Sequence, residues 1–224
     1  MQYIFHKESG KDQLIIENEL YKYIVKVRRK DIGHTVYFRN LSDANLYHYK
    51  IHSIDRRKIL LQLILHEDKR IVHSHSLHIG WCVVDPKTVE KTLTSLNEMG
   101  VDKITFIYCE YSQQSFKPNF DRLEKILINS SQQCGRSSLL KLNSVESLEQ
   151  FKHEYPESFF IDFSQNRYES FSKMNLQTIV IGPEGGFCEE ERKQFNEKNT
   201  IGFDTQTVLK SETAVLGICA KILL

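Results

Sequence analysis

The chain has 224 residues, of which 40% are hydrophobic and 26% charged, with a formal net charge of +1 at pH 7. That is the composition of an ordinary soluble globular protein with one large domain or two modest ones. The opening "MQYIFHKESGKD" has no apolar segment before its charges, and no apolar run approaches the length of a membrane helix, so neither a secretory leader nor a membrane anchor is expected.

Along the chain, the first 70 residues read as short strands. "QLIIE" and "HTVYFRN" alternate β-branched and aromatic residues, "LYHYKIHSI" continues the pattern, and "KILLQLILHED" is a longer, doubly apolar run. Between them "ELYKYIVKVRRKDIG" reads as a short helix turning into a strand. Short strands with little helix predict a small β-barrel or sandwich. A polar, aperiodic stretch at 66–76, "HEDKRIVHSHS", marks a boundary between a domain at 1–70 and another at 75–224.

From residue 77 the grammar changes. "LHIGWCVV" is a buried strand, and "DPKTVEKTLTSLNEMG" a helix with Asp85 as N-cap, Pro86 at its first position and Gly100 as terminator. "KITFIYC" is a strand, and "NFDRLEKILINSSQQC" and "SVESLEQFKHEY" are helices. "SFFIDF" and "TIVIG" are strands, "CEEERKQFNEK" a helix and "IGFD" a short strand. "SETAVLGICAKILL" closes the chain as a helix that is apolar nearly all round, so it must pack deep in the domain or against a second subunit. Strands alternating with helices predict an α/β domain with a largely parallel sheet.

Two global features accompany these elements. Residues 1–74 hold 14 Lys+Arg against 9 Asp+Glu, whereas the remaining 150 hold 16 against 20. A basic module beside a mildly acidic one suggests that the first touches a polyanion, although chance surface variation explains the same balance. The five cysteines, Cys82, Cys109, Cys134, Cys188 and Cys219, are widely spaced with no CxxC pair. This speaks for free thiols in a reducing cytoplasm and against a zinc site or a disulfide framework.

The stretch richest in chemistry is "IVIGPEGGFCEEE", residues 179–191. In open α/β sheets ligands sit outside the carboxyl ends of strands, where such loops lie. Gly182, Gly185 and Gly186 let backbone approach a ligand, Pro183 stiffens the entry, and exposed N–H and C=O groups can read the edges of an adenine. There is no GxGxxG or GxxxxGK[ST] pattern, and Glu184 would repel a phosphate held in the loop. Glu189, Glu190 and Glu191 suit the first turn of a helix through its dipole. A tight strand-to-helix turn without a ligand fits the same residues. "QQCGR", 132–136, reads as a helix C-terminus with Gly135 as cap, and "VLKSETA", 208–214, as a loop entering a helix with Ser211 as N-cap.

In their order and spacing, "SQQCGR", "IGPEGGF" and "VLKSETA" resemble the motifs of the RsmE family of 16S rRNA uridine-N3 methyltransferases, in the SPOUT superfamily. "NEMGV" and "YIVKVRRKDIGHTVYFRN" extend the likeness over nearly the whole chain. The resemblance implies an N-terminal PUA-like β-barrel followed by a SPOUT α/β domain with a deep trefoil knot. It also implies a cytoplasmic homodimer that binds S-adenosyl-L-methionine in the knot and acts on 16S rRNA or the small ribosomal subunit, with neither metal nor membrane. Carried over by motif, the cofactor pocket would comprise Ile181, Gly182, Pro183, Glu184, Gly185 and Gly186, with Val208, Leu209, Lys210, Ser211, Thr213 and Ala214, completed near Phe163. Lys26, Arg28, Arg29 and Lys30 would grip phosphates, Arg136 would stabilise charge on the uracil oxygens, and Glu184 would orient the base, take its N3 proton or simply pin the knot loops. Departures from the family pattern fall at Ser95, Gln132, Asp204, Thr205, Thr207 and Lys210. They motivate a second reading, an RNA-binding homologue with weak or lost methyl transfer. The glycine loop alone would fit a third, a nucleotide-binding enzyme unrelated to RNA.

Overall fold

Alternating apolar residues build the first sheet. In the computed structural model, which describes residues 2–168 and 176–224, β1 (Ile4–Phe5), β2 (Gln13–Glu17), β3 (Thr35–Arg39), β4 (Asn45–Ile54) and β5 (Lys58–Asp68) form a curled sheet in the order β1-β3-β4-β5-β2. β1 lies parallel to β3, and the other pairings are antiparallel. The period of two is visible in β2, where Leu14 and Ile16 are buried while Ile15 between them is 62% exposed. Phe38, Tyr49, Ile51, Ile59 and Leu61 complete the core beneath the sheet.

After β2, α1 (Asn18–Tyr21) continues into a π-helical turn, Lys22–Val27, in place of the expected strand. The reason lies in the side chains. Ile24 is fully buried, and Leu20, Tyr21, Tyr23 and Val25 pack on the barrel core, a helical spacing that a strand would split between two faces.

The second sheet is parallel throughout. β6 (His78–Cys82), β7 (Lys103–Ile107), β8 (Lys141–Val145), β9 (Phe159–Ile161), β10 (Thr178–Ile181) and β11 (Thr200–Ile201) run in the order β11-β9-β10-β6-β7-β8. α2 (Pro86–Met99), α3 (Phe120–Cys134), α4 (Leu148–Glu154), α5 (Glu189–Arg192) and α6 (Ser211–Leu223) connect or follow the strands. α2 begins and ends where its sequence signals lie: Asp85 accepts from the Thr88 N–H at 3.0 Å, and Gly100 adopts φ 102°. From β6 the chain steps outward to β7 and β8, whereas β9 and β11 lie on the other side of β10. The carboxyl ends of β6 and β10 therefore meet at the switch point, where this class of sheet offers a crevice.

Two further details differ from the sequence reading. β8 was not foreseen, because "KLNSV" carries little hydrophobic pattern. The helix expected over "CEEERKQFNEK" is confined to Glu189–Arg192, with a single 3-10 turn at Glu197–Asn199. The chain leaves the helix so that Phe195 stacks on Phe160 at 4.1 Å and meets Phe187 edge-on at 4.7 Å. The chain divides into one unit of Met1–Val72 with Ile128–Leu139, and another of His73–Leu127 with Leu140–Leu224. The end of α3 is tied to the first unit by Phe5 N–H donating to Gln132 Oε1 at 2.8 Å, the Tyr3 hydroxyl donating to the Arg136 carbonyl at 2.8 Å, and Ile71 N–H donating to Ser137 Oγ at 2.9 Å.

All five cysteines are free thiols. At the start of β6, His78 is buried with its Nε2 2.9 Å from Thr105 Oγ1 and its ring 4.5 Å from that of Tyr155. Burial, reinforced by the Lys103 charge, pushes its pKa down to about 4 from the usual 6.5. The folded value lies below the unfolded one, so the unfolded chain takes up the proton first and stability falls as pH drops from 6.5 through 4. The loss is about 3 kcal/mol at its fullest. Urea unfolding measured across this window is expected to show that slope, and His78→Gln, which can still hydrogen-bond Thr105, is expected to flatten it.

Candidate functional site

β10 ends at Ile181 and delivers Gly182 to the switch point. The Gly182 carbonyl accepts a hydrogen bond from Ser211 Oγ at 2.6 Å, and the same hydroxyl accepts from Trp81 Nε1 at 2.9 Å. Ser211 was expected as the N-cap of the last helix. It is instead the first helical residue, with Lys210 at the cap position and no side-chain cap bond. Its hydroxyl cannot bond the helix's own N–H groups because it is engaged by strand β6 and the glycine loop.

Beyond Gly182 the chain turns tightly. Gly186 N–H donates to the Pro183 carbonyl at 2.9 Å, and Gly186 takes φ +71°, a left-handed conformation that favours glycine. Phe187 then drops into the core against Phe160. Cys188 and Glu191 form a capping box at the start of α5. Glu191 does more than complement the helix dipole: it is buried, one oxygen accepting from Cys188 N–H and the other from Glu110 N–H, each at 2.9 Å.

Opposite the glycine loop lies the segment after β9. Asp162 pairs with Arg192 at 2.7 Å, and this hydrogen-bonded carboxylate holds the guanidinium pKa above its usual value. Gly202 N–H donates to the Asn166 carbonyl at 2.8 Å. A Cβ on Gly202 would stand 2.1 Å from the Ser164 carbonyl oxygen, so only glycine allows the two backbones to pass. Together these segments enclose a cavity of about 880 Å³.

Of the residues expected around a cofactor, Phe163, Ile181, Gly182, Pro183, Glu184, Gly185, Gly186, Val208, Leu209, Ser211 and Ala214 line this cavity. Lys210 and Thr213 do not. Phe163 and Val208 are 79% and 77% exposed, and Glu184 is exposed at the rim. Arg136 is not among the lining residues; it is buried in the first unit, with Nε donating to the Ser138 carbonyl at 3.2 Å. Lys26, Arg28 and Arg29 are exposed and Lys30 is half-buried, with the Arg28 guanidinium held by the Tyr23 hydroxyl at 2.6 Å.

The sequence reading missed Asp162, Arg192 and Gly202 as lining residues, and it treated Thr205 and Thr207 only as departures from a pattern. The single available signal was the glycine in "IGFD", which follows a buried strand as Gly182 does. The arrangement suits a ligand with a flat apolar part and polar edges. Ile161, Ile181, Phe187 and Leu209 supply apolar wall, backbone groups of the two loops supply donors and acceptors, and Glu184 supplies a carboxylate. No cluster of three or more metal-ligating side chains occurs among the described residues.

Residues 73–223 match the model of an RNA methyltransferase domain. The chain is 32% identical over 223 residues to ribosomal RNA small subunit methyltransferase E of Helicobacter pylori strain J99, covering 98% of each. It is 25% identical over 234 residues to the protein of that name from Aquifex aeolicus, covering 99% of each. Its fold is similar to that of ribosomal RNA small subunit methyltransferase E from Neisseria gonorrhoeae, whose structure was solved bound to S-adenosyl methionine. The TM-score is 0.80 at 15% identity, with 99% of this chain and 96% of that one covered.

Replacing the bridging hydroxyl tests how the cavity is held. Ser211→Ala leaves Trp81 Nε1–H and the Gly182 carbonyl without their bond and is expected to cost about 2–4 kcal/mol in urea unfolding. Trp81 is the only tryptophan, so a changed emission maximum in the folded variant would report the loss directly.

Proposed function

The chain belongs to the RNA methyltransferase domain family, within its ribosomal RNA small subunit methyltransferase E group, and from that premise we propose that it methylates N3 of a uridine in 16S rRNA. It is an rRNA methyltransferase that uses S-adenosylmethionine. The observation that supports the site assignment is the convergence of the glycine loop and the 208–214 loop on one cavity of about 880 Å³, within the usual range for small-molecule sites.

The residues present fit the cofactor. Gly182, Gly185 and Gly186 bring bare backbone to the cavity, where N–H and C=O groups suit an adenine edge, and Ile181, Leu209 and Ala214 suit its faces. Bound there, S-adenosylmethionine supplies an electrophilic methyl group on a sulfonium. The chain's own task is to present a nucleophilic nitrogen. Uracil N3 carries a proton and is hidden in a base pair, so the base must be unpaired or flipped out and the proton accepted. In this reading the Glu184 carboxylate, at the cavity rim, takes it.

The reading extends to the whole assembly. The first unit grips rRNA phosphates through Lys26, Arg28, Arg29 and Lys30, while the second holds the cofactor within the deep knot that the family resemblance implies. The active form is a homodimer that works in the cytoplasm on the small ribosomal subunit or its 16S rRNA. No described helix is long and apolar enough to cross a membrane. A non-catalytic homologue is not favoured. At the departure Gln132, the side chain accepts from the Phe5 N–H within the first unit.

Small subunits from a strain lacking this gene provide the substrate for the test. Incubation with the purified chain and S-adenosylmethionine, then nucleoside mass spectrometry, is expected to show N3-methyluridine; its absence would sink the reading. Glu184→Gln is expected to lower kcat by about 10²–10⁴-fold, with S-adenosylmethionine affinity by calorimetry unchanged.

A further inference from the structure

The loop after β7 is fixed more firmly than its surface position requires. Cys109 N–H donates to Ser112 Oγ at 2.9 Å, Gln114 Nε2 to the Cys109 carbonyl at 2.7 Å, and Gln113 N–H to the Val83 carbonyl at 3.2 Å. Glu110 N–H is held by buried Glu191, so one carboxylate joins this loop to the end of the glycine loop. These bonds locate a residue that neither the motifs nor the cavity lining includes. Tyr111 is 54% exposed, although the backbone on both sides of it is anchored.

The base of Tyr111 lies against the glycine loop. A Cβ on Gly185 would be 2.9 Å from Tyr111 Cβ and 3.3 Å from its Cγ, so a side chain at 185 would push the two loops apart. Glu184 is the next residue in the chain, and a Cβ on Gly186 would lie 3.5 Å from Arg192 Nη2. A half-exposed tyrosine thus lies against the loop that carries Glu184 and lines the cavity.

We infer that Tyr111 is the surface on which the target base stacks when it leaves its helix for methylation. The inference rests on the proposed base methylation. A base leaving its helix loses its stacking partners, and an aromatic side chain replaces them without reading sequence. Tyrosine presents a large flat area with few rotors to freeze, and the anchored loop sets its position before RNA arrives. The missing side chain at Gly185 lets Tyr111 pack directly against the loop that carries Glu184, so a base stacked there is held at that loop.

Two substitutions separate stacking from support. Tyr111→Ala removes the ring but retains the Cβ nearest Gly185, and Tyr111→Phe retains the ring. With small subunits as substrate, the alanine variant is expected to raise KM for RNA about ten- to a hundredfold. Its affinity for S-adenosylmethionine by calorimetry should match the wild type, and the phenylalanine variant should stay within about threefold of wild type in both. Three results overturn the inference: an unchanged KM in Tyr111→Ala, an equal loss of cofactor affinity there, or a loss in Tyr111→Phe as large as in Tyr111→Ala. The wild type run alongside tests the underlying reading separately. A wild type that methylates an atom other than N3 overturns the N3 assignment, while the KM comparison still decides Tyr111.

Discussion

A single buried hydroxyl holds the site together. Ser211 Oγ receives the Trp81 indole N–H and gives its own proton to the Gly182 carbonyl. It thereby fastens strand β6, the end of β10 and the start of α6 at one point. Each partner would otherwise be a buried polar group without a bond, which is costly in a low-dielectric interior. The two cavity-forming loops leave from either side of this junction, one beginning at Gly182 and the other ending at Ser211. Their separation is therefore set by a hydrogen-bonded relay rather than by loop chemistry.

The second support is aromatic and acidic together. Phe160, Phe187 and Phe195 pack together beneath the glycine loop, and Glu191 caps α5 while holding the β7 loop. Packing fixes the floor and the carboxylate fixes the wall. This explains why α5 is only four residues long: the following residues serve the aromatic cluster. The loop keeps its glycines because its neighbours are close, with Phe187 carbon 3.0 Å from a Cβ on Gly182 and Tyr111 carbon 2.9 Å from one on Gly185. A rigid surround with bare backbone inside it suits recognition by N–H and C=O groups.

The first unit is organised differently. Its core is a strand-period pattern closed by a helical and π-helical turn, and the last part of α3 is tied to it by backbone and side-chain bonds. Gln132 belongs to that tie, which gives a structural purpose to a position whose residue differs from the family motif.

The chain's order of elements was legible in the sequence because local patterns carried it. Alternation marked β2 to β5, the Asp85–Pro86 start and Gly100 end marked α2, and a strand followed by "GPEGGF" marked a loop that lines the cavity. These depend on residues within a few positions of one another. What escaped depended on distant partners. "KLNSV" became a strand only because β7 offered an edge, Lys22–Val27 became a π-helical turn because a core lay beneath it, and α5 stopped short for Phe195. Ser211 looked like an ordinary cap until Trp81, 130 residues away, met its hydroxyl. The sequence by itself determined the order of strands and helices and the loops that join them, since motif and periodicity are local. Only the tertiary structure decided that Arg136 lies in the first unit while Asp162, Arg192 and Gly202 enclose the cavity, since burial and pairing across the chain leave no local trace.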